Sequence, residues 1–305
     1  MRNDNPEQWN GKSRGGSFGY AFFVFLIRYC GLRSAYIFLA FVAFYFIPCA
    51  PRATAAVWDY YRRRLHKSRC VAAWSLYRHY YRFGQALIDK IAVGAGLADR
   101  YQFEFDNYEQ FLDVLKGEHG VVVLGAHVGC WEIGAHFFGQ YGHKMNVVMY
   151  DAEYQRIRKV LERNGGGRNY KIIPVNESSI DAILQIKVAL NQGEYVCFQE
   201  DRFLNQHHVL RLPFLQGEAL FPEGPFLIAT KLQVPIAFYF AMREKGRRYR
   251  FYFRVIQTDR QVTTQELCHM YVQTLEKIVR HYPDQWFNFY KFWHYCPKKL
   301  PHRFS

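Results

Sequence analysis

The chain has 305 residues, half of them apolar and 18% aromatic, which is enough to bury a core and excludes a disordered protein. Forty Lys and Arg against 26 Asp and Glu leave a net charge of +14, so anionic partners are expected: phospholipid headgroups, an acidic carrier protein or nucleic acid. The seven cysteines, at 30, 49, 70, 130, 197, 268 and 296, contain no CxxC pair and no Cys/His ligand spacing, which points to reduced thiols in a cytosolic compartment and to no structural zinc.

Residues 1–51 read as a tail and membrane anchor. Phe18 to Ile27 is nearly all apolar, and after Arg28 and Arg33 no charge appears between Ser34 and Pro51. Eighteen residues at helical rise give roughly 27 Å, close to the ~30 Å hydrocarbon thickness, so this stretch either spans a bilayer or lies deep in one leaflet. A buried helix of a soluble core is the rival reading. Arg52, Arg62, Arg63, Arg64, Lys67 and Arg69 follow the run, so bases flank it on both sides and leave its orientation ambiguous.

Residues 52–100 read as one or two basic amphipathic helices beside the membrane, because apolar positions (Val57, Tyr60, Tyr61, Trp74, Tyr77, Tyr81, Ile88) recur at helical spacing between the bases. From 101 to 305 short β-rich runs alternate with helical patterns. Strands are predicted at Gln102–Phe105, Val121–Gly125, Asn146–Tyr150, Lys171–Val175, Tyr195–Gln199, Val234–Phe240 and Tyr249–Val255. Helices are predicted at 107–117, 131–140, 153–164, 178–191, 223–232 and 263–281. This alternation argues for an α/β fold, a mostly parallel sheet flanked by helices with an antiparallel pair at 234–255, and for chemistry at the carboxyl ends of strands.

The segment Val121 to Phe138 reads as a buried strand, a tight loop and a helix, with His127 at the strand's end and Glu132 in the helix's first turn. On one continuous helix the two side chains would point roughly 140° apart, so they meet only if the backbone turns between them, and Gly129 permits that. A carboxylate on one imidazole nitrogen leaves the other to accept a proton from a hydroxyl. Taken alone the spacing is weak, since a His and a Glu five apart are common. Cys130 reads as a small buried thiol rather than a nucleophile. Asp201-Arg202 ends another predicted strand and could face the same loop, with Arg202 binding a phosphate or carboxylate and Asp201 orienting it. Glu223 and Gly224 open a predicted helix whose amides could meet an anionic headgroup. The bases Arg243, Lys245, Arg247, Arg248 and Arg250 read as a solvated hairpin tip, the rival being a docking patch for an acidic carrier. His207 and His208 lack a third ligand, and Gly165 to Gly167 reads as a flexible loop.

These blocks resemble the lipid A late acyltransferases of the lysophospholipid acyltransferase-like superfamily. Their H-x4-[DE] signature is met by His127-Val-Gly-Cys-Trp-Glu132. The wider glycerolipid acyltransferases add blocks matched, in order, by Cys197-Phe-Gln-Glu-Asp201-Arg202 and Phe221-Pro-Glu-Gly224-Pro225. The ending His281-Tyr-Pro-Asp-Gln-Trp286 looks like the family's C-terminal segment. Pro-Phe-Leu stands where enzymes using glycerol phosphate usually carry Thr-Arg-Ser, which disfavours that acceptor. The opening Trp9 to Gly16 is similar to relatives associated with aryl polyene or amino-acid lipid synthesis. The resemblance implies a glycerolipid acyltransferase-like fold and transfer of a fatty acyl chain from acyl carrier protein or acyl-CoA to a lipid A-type glycolipid or lysolipid. It also implies a catalytic His127 and Glu132, substrate contacts at Asp201, Arg202, Glu223 and Gly224, no metal and no cofactor, at the cytoplasmic face of a bacterial inner membrane. A non-enzymatic basic membrane-binding protein is the alternative from another class. Nucleic acid is not an expected partner, because the bases are dispersed through an apolar chain without a recognised binding motif.

Overall fold

The computed structural model describes residues 16–117, 119–134, 144–150, 170–175, 180–202, 208–256 and 262–295. The helix predicted at 153–164, the glycines at 165–167, residues 135–140 of the helix predicted at 131–140, His207, Cys296 and all of the segment from Trp9 to Gly16 but its last glycine lie outside the described residues.

Seven strands form one sheet in the order β1-β9-β8-β2-β5-β3-β4. They are β1 (Gln102–Asp106), β2 (Val121–Gly125), β3 (Met145–Tyr150), β4 (Tyr170–Val175), β5 (Tyr195–Gln199), β8 (Ile236–Arg243) and β9 (Arg248–Ile256). Every pairing is parallel except β8 with β9, as the alternating sequence pattern predicts. The hairpin β6 (Val209–Phe214) and β7 (Gly217–Pro222) forms a separate two-stranded sheet that the sequence reading left unassigned. Its turn residues Leu215 and Gln216 both adopt positive φ without being glycine, so the usual Gly or Asn turn signal is missing there.

The central strands are apolar on both faces because both faces are covered. Val122, Leu124, Val196, Phe198, Phe238 and Phe240 enter one core with α6 (Ile180–Asn191) and α8 (Thr264–His281). Val121, Val123, Cys197, Ala237 and Tyr239 enter the other, with α2 (Gly31–Cys49) and α4 (Arg69–Gly94). Helix α8 starts with a full capping box, Thr263 with Glu266. Helices α5 (Tyr108–Lys116) and α7 (Gly224–Leu232) connect strands. The N-terminal part comprises α1 (Gly16–Phe25), a π-helical turn at Leu26–Cys30, α2 and α3 (Pro51–Asp59). The stretch Phe22–Cys49 is long and apolar enough to cross a membrane, and 22% of its most apolar part is buried.

The region expected as one or two helices beside a membrane resolves into α3, a π-helical turn and the single 26-residue α4, whose inner face is core. Three members of the basic hairpin tip are also placed differently from the solvated reading. Arg243 is buried, its Nε 2.7 Å from the fully buried Asp89 of α4, and Arg248 and Arg250 pair with Glu104 of β1 at 3.3 and 2.8 Å. An edge strand beside β9 supplies that carboxylate, so much of the tip's charge is paired.

Candidate functional site

His127 and Asp201 meet because β2 and β5 are adjacent parallel strands in register. Gly125 lies opposite Gln199, so two residues beyond each strand end the chain places His127 and Asp201 side by side. The imidazole Nδ1 is 2.6 Å from Asp201 Oδ1, and the same oxygen accepts the His127 backbone N–H at 3.0 Å. The second carboxylate oxygen accepts from the Trp286 indole N–H at 3.0 Å. Asp201 is 2% exposed. Burial alone would raise its pKa, but the charge and hydrogen bond of His127, with the charge of Arg202, outweigh it and lower the carboxyl from 3.8 to about 2. An ionised Asp201 accepts from Nδ1–H, which fixes the tautomer and leaves the Nε2 lone pair available. Among the described residues nothing bonds Nε2.

The loop that carries His127 is held by the C-terminal segment. Phe287 N–H donates to the His127 carbonyl and Gly129 N–H to the Gln285 carbonyl, both at 2.9 Å. Gln285 in turn clamps the Arg243 backbone through both its amide groups, at 2.9 and 2.8 Å. Tyr290 donates to the Asp201 carbonyl at 2.9 Å. The block His281 to Trp286, quoted above only as part of the resemblance, is therefore the strap that seats the imidazole and its carboxylate. Gly129 sits at φ +65 against the Ala241 carbonyl oxygen, which a Cβ would overlap, so the turn between His127 and Glu132 requires glycine.

That turn does not deliver Glu132 to the imidazole, as the sequence reading expected. Cys130 N–H bonds the Ala241 carbonyl at 2.9 Å, and the chain then enters its helix on the α4 side of the sheet. There Glu132 Oε1 meets Lys90 Nζ at 3.1 Å, both residues half-buried. The charge of Glu132 raises the lysine pKa against the opposing effect of burial. The carboxylate on His127 is thus Asp201, to which sequence assigned a substrate contact, and Lys90 was not singled out at all. Cys130 is buried, with its Sγ 3.5 Å from the Ala86 carbonyl oxygen. Burial first, then the charge of Glu132, pushes its pKa well above the usual thiol range, which makes it a poor nucleophile.

Arg202 follows Asp201 and is half-buried, its guanidinium 3.4 Å from the Phe287 carbonyl. Glu200, before it, is 1% exposed, and burial followed by the charge of Asp201 raises its pKa. Glu223 caps the start of α7 without a side-chain hydrogen bond, and its backbone N–H bonds the His208 carbonyl at 3.0 Å. A Cβ at Gly224, the first residue of α7, would meet open space. Glu223 and Glu200 both act electrostatically on the Cys268 thiol, so the start of α7 lies in the neighbourhood of the β5 end. No group of three or more metal-ligating side chains occurs among the described residues.

A family model described as bacterial lipid A biosynthesis acyltransferase matches residues 79–295, more than half of the chain. The match begins within α4, eleven residues before Lys90, and runs through the strap. No curated protein matches the chain.

Proposed function

The chain belongs to the bacterial lipid A biosynthesis acyltransferase family, and from that premise we propose that it moves a fatty acyl chain from an acyl thioester to a hydroxyl of a lipid A-type glycolipid or a lysolipid. The observation that carries this reading is the His127–Asp201 contact, with Nδ1 occupied and Nε2 available. The acceptor hydroxyl gives its proton to Nε2 as its oxygen attacks the thioester carbonyl. The resulting imidazolium is stabilised by Asp201. Collapse of the tetrahedral intermediate breaks the carbon–sulfur bond, and the departing thiolate takes the proton back from Nε2. Acyl carrier protein or acyl-CoA supplies the thioester. No acyl-enzyme is required, in keeping with the buried Cys130.

Glu132 is kept in the proposal in a changed role: it sets the loop from the α4 side through Lys90. Arg202, Glu223 and Gly224 are proposed as the acceptor-facing wall, where a guanidinium and helix amides suit an anionic group. The apolar N-terminal helices are proposed to hold the protein to a membrane, at the cytoplasmic leaflet of the bacterial inner membrane, where such an acceptor resides. Lipid mass spectrometry of a deletion strain complemented with the parent chain or with His127→Ala tests the whole reading. One acyl chain should vanish from one lipid class on deletion, return with the parent and stay absent with the variant. An unchanged lipid profile on deletion overturns it.

A further inference from the structure

We propose that α1 and α2 form a hairpin lying in one membrane leaflet, with the Ile37, Phe41, Phe44 and Tyr45 stripe of α2 facing the acyl chains, rather than a rod crossing the bilayer. The inference rests on the membrane attachment proposed above and specifies its geometry.

The first observation is that the apolar stretch is not one helix. At Gly31 the backbone has φ 79 and ψ 168, outside any helical region. The rings of Phe22 and Phe38 lie 4.8 Å apart. Sixteen residues along a continuous helix would separate them by about 24 Å, so the chain folds back on itself at the turn.

The second is that α2 is docked on the catalytic domain along its length. Leu32, Ala35, Leu39 and Ala43 form a buried stripe. Leu39 fills the space beside Gly84 of α4, Tyr77 donates to the Ala40 carbonyl at 3.4 Å, and Phe46 stacks on Tyr80 at 6.4 Å. In the second turn of α2, the Tyr36 hydroxyl bonds Asp89, the carboxylate that pairs with Arg243. Arg78 and Arg82 on α4 pair with Asp284. A bilayer-crossing α2 would carry α4 into hydrocarbon beside it, with the exposed guanidinium of Arg78, where such a charge is heavily penalised. An α2 lying along the interface carries no such charge there.

The third is the opposite stripe. Ile37, Phe41, Phe44 and Tyr45 are 64, 71, 70 and 62% exposed, a contiguous apolar surface of the kind that soluble monomers rarely present. Trp74, 61% exposed in the second turn of α4, is a residue type favoured at the membrane interface. Arg28 and Arg33 at the hairpin turn, Arg52 after α2, and Lys67 and Arg69 before Trp74 are all exposed. Bases at both ends of α2 suit anionic headgroups on one surface.

Two exposed native cysteines flank α2 and make the geometry measurable: Cys30 at the hairpin turn and Cys70 at the start of α4. The full chain carrying Cys49→Ser and Cys296→Ser is reconstituted into sealed vesicles of phosphatidylethanolamine and phosphatidylglycerol and treated with a membrane-impermeant maleimide. Intact-protein mass spectrometry then counts the labels on each molecule. In detergent every molecule should carry two. In vesicles the hairpin predicts two labels or none, because both cysteines share a side. A population carrying one label each means that α2 crosses the bilayer, which overturns the hairpin while leaving membrane attachment standing. Failure to stay with the vesicles overturns both, as does a stable lipid-free dimer that buries the stripe. Phe41→Asp with Phe44→Asp should weaken vesicle partitioning about tenfold or more at unchanged melting temperature, and unchanged partitioning also overturns the proposal.

Discussion

Replacing Asp201 with Asn tests which carboxylate serves His127. The parent Asp201 accepts three donors: the His127 backbone N–H, the His127 Nδ1–H and the Trp286 indole N–H. An amide has one accepting oxygen. With its oxygen toward His127, its NH2 faces the Trp286 N–H; flipped, its NH2 faces His127 and forces the wrong imidazole tautomer. Transfer should fall on the order of 10³–10⁴-fold, the size seen when a buried Asp–His pair is broken in this way. The fall in the Asp201 pKa from 3.8 to about 2 corresponds to about 2 kcal/mol of native-state stabilisation. Because the folded value is depressed, that stabilisation is present above about pH 4 and is lost as the pH drops toward 2. The variant should therefore melt a few degrees lower than the parent at neutral pH, with the gap closing on acidification. Initial rates of labelled acyl transfer from an acyl thioester, on variants matched by circular dichroism, provide the assay. A second check is Trp286→Phe, which removes the donor that clashes with the amide and should make Asp201→Asn less damaging than in the parent background. If Asp201→Asn transfers at nearly the parent rate while Glu132→Gln abolishes transfer, the assignment of Asp201 is wrong.

The other expectations concern the loop and its supports. Glu132→Gln should lower the transfer rate by less than Asp201→Asn does, and Lys90→Met should match it, since each leaves one half-buried charge of the pair without its partner; rates of the two variants and their double mutant check this coupling. Cys130→Ala should retain most activity and yield no acyl-protein adduct in intact-mass measurements, because the parent thiol is buried and its pKa raised. Gly129→Ala should cost about 2 kcal/mol or more in denaturant unfolding and impair transfer, since the position combines positive φ with a carbonyl where the Cβ would go. Asp89→Asn should destabilise by about 3–5 kcal/mol in denaturant unfolding, leaving Arg243 buried without its counter-charge.

Most of the sheet was legible because its strands carry their burial in the pattern itself. Val121 to Gly125 and Tyr195 to Phe198 are apolar runs without a charge, and both strands fall where the pattern predicts. The β6–β7 hairpin was not legible. Leu215 and Gln216 form its turn with positive φ, a conformation these residue types do not advertise, and it is held by tertiary contacts such as Leu215 N–H to Glu276 at 2.9 Å. Helix α4 was blurred for a different reason. Its bases Arg78, Arg82 and Lys90 look like a solvated face in sequence, yet all three have carboxylate partners brought from 284 and 132.

The site was half legible, and the missing half follows from how strands transmit position. Sequence spacing relates His127 to residues on its own segment, which favours Glu132 as its partner. Parallel register relates it instead to the residue at the same height on the neighbouring strand, and that relation is invisible until the β2–β5 pairing is known. Once Gly125 is set opposite Gln199, Asp201 reaches the imidazole by symmetry of strand ends. Glu132, carried past the Gly129 turn, is committed to α4. The same reasoning explains why Trp286 could not be found from spacing, since its indole reaches Asp201 only because Val128 and Trp286 form an antiparallel bridge across 158 positions of chain. What the sequence does carry is the choice of residue at each arrival point. An ionisable pair, a buried donor for its far oxygen and a glycine where the backbone must turn are what the proposed proton transfer at Nε2 asks for, and each stands where the register brings it.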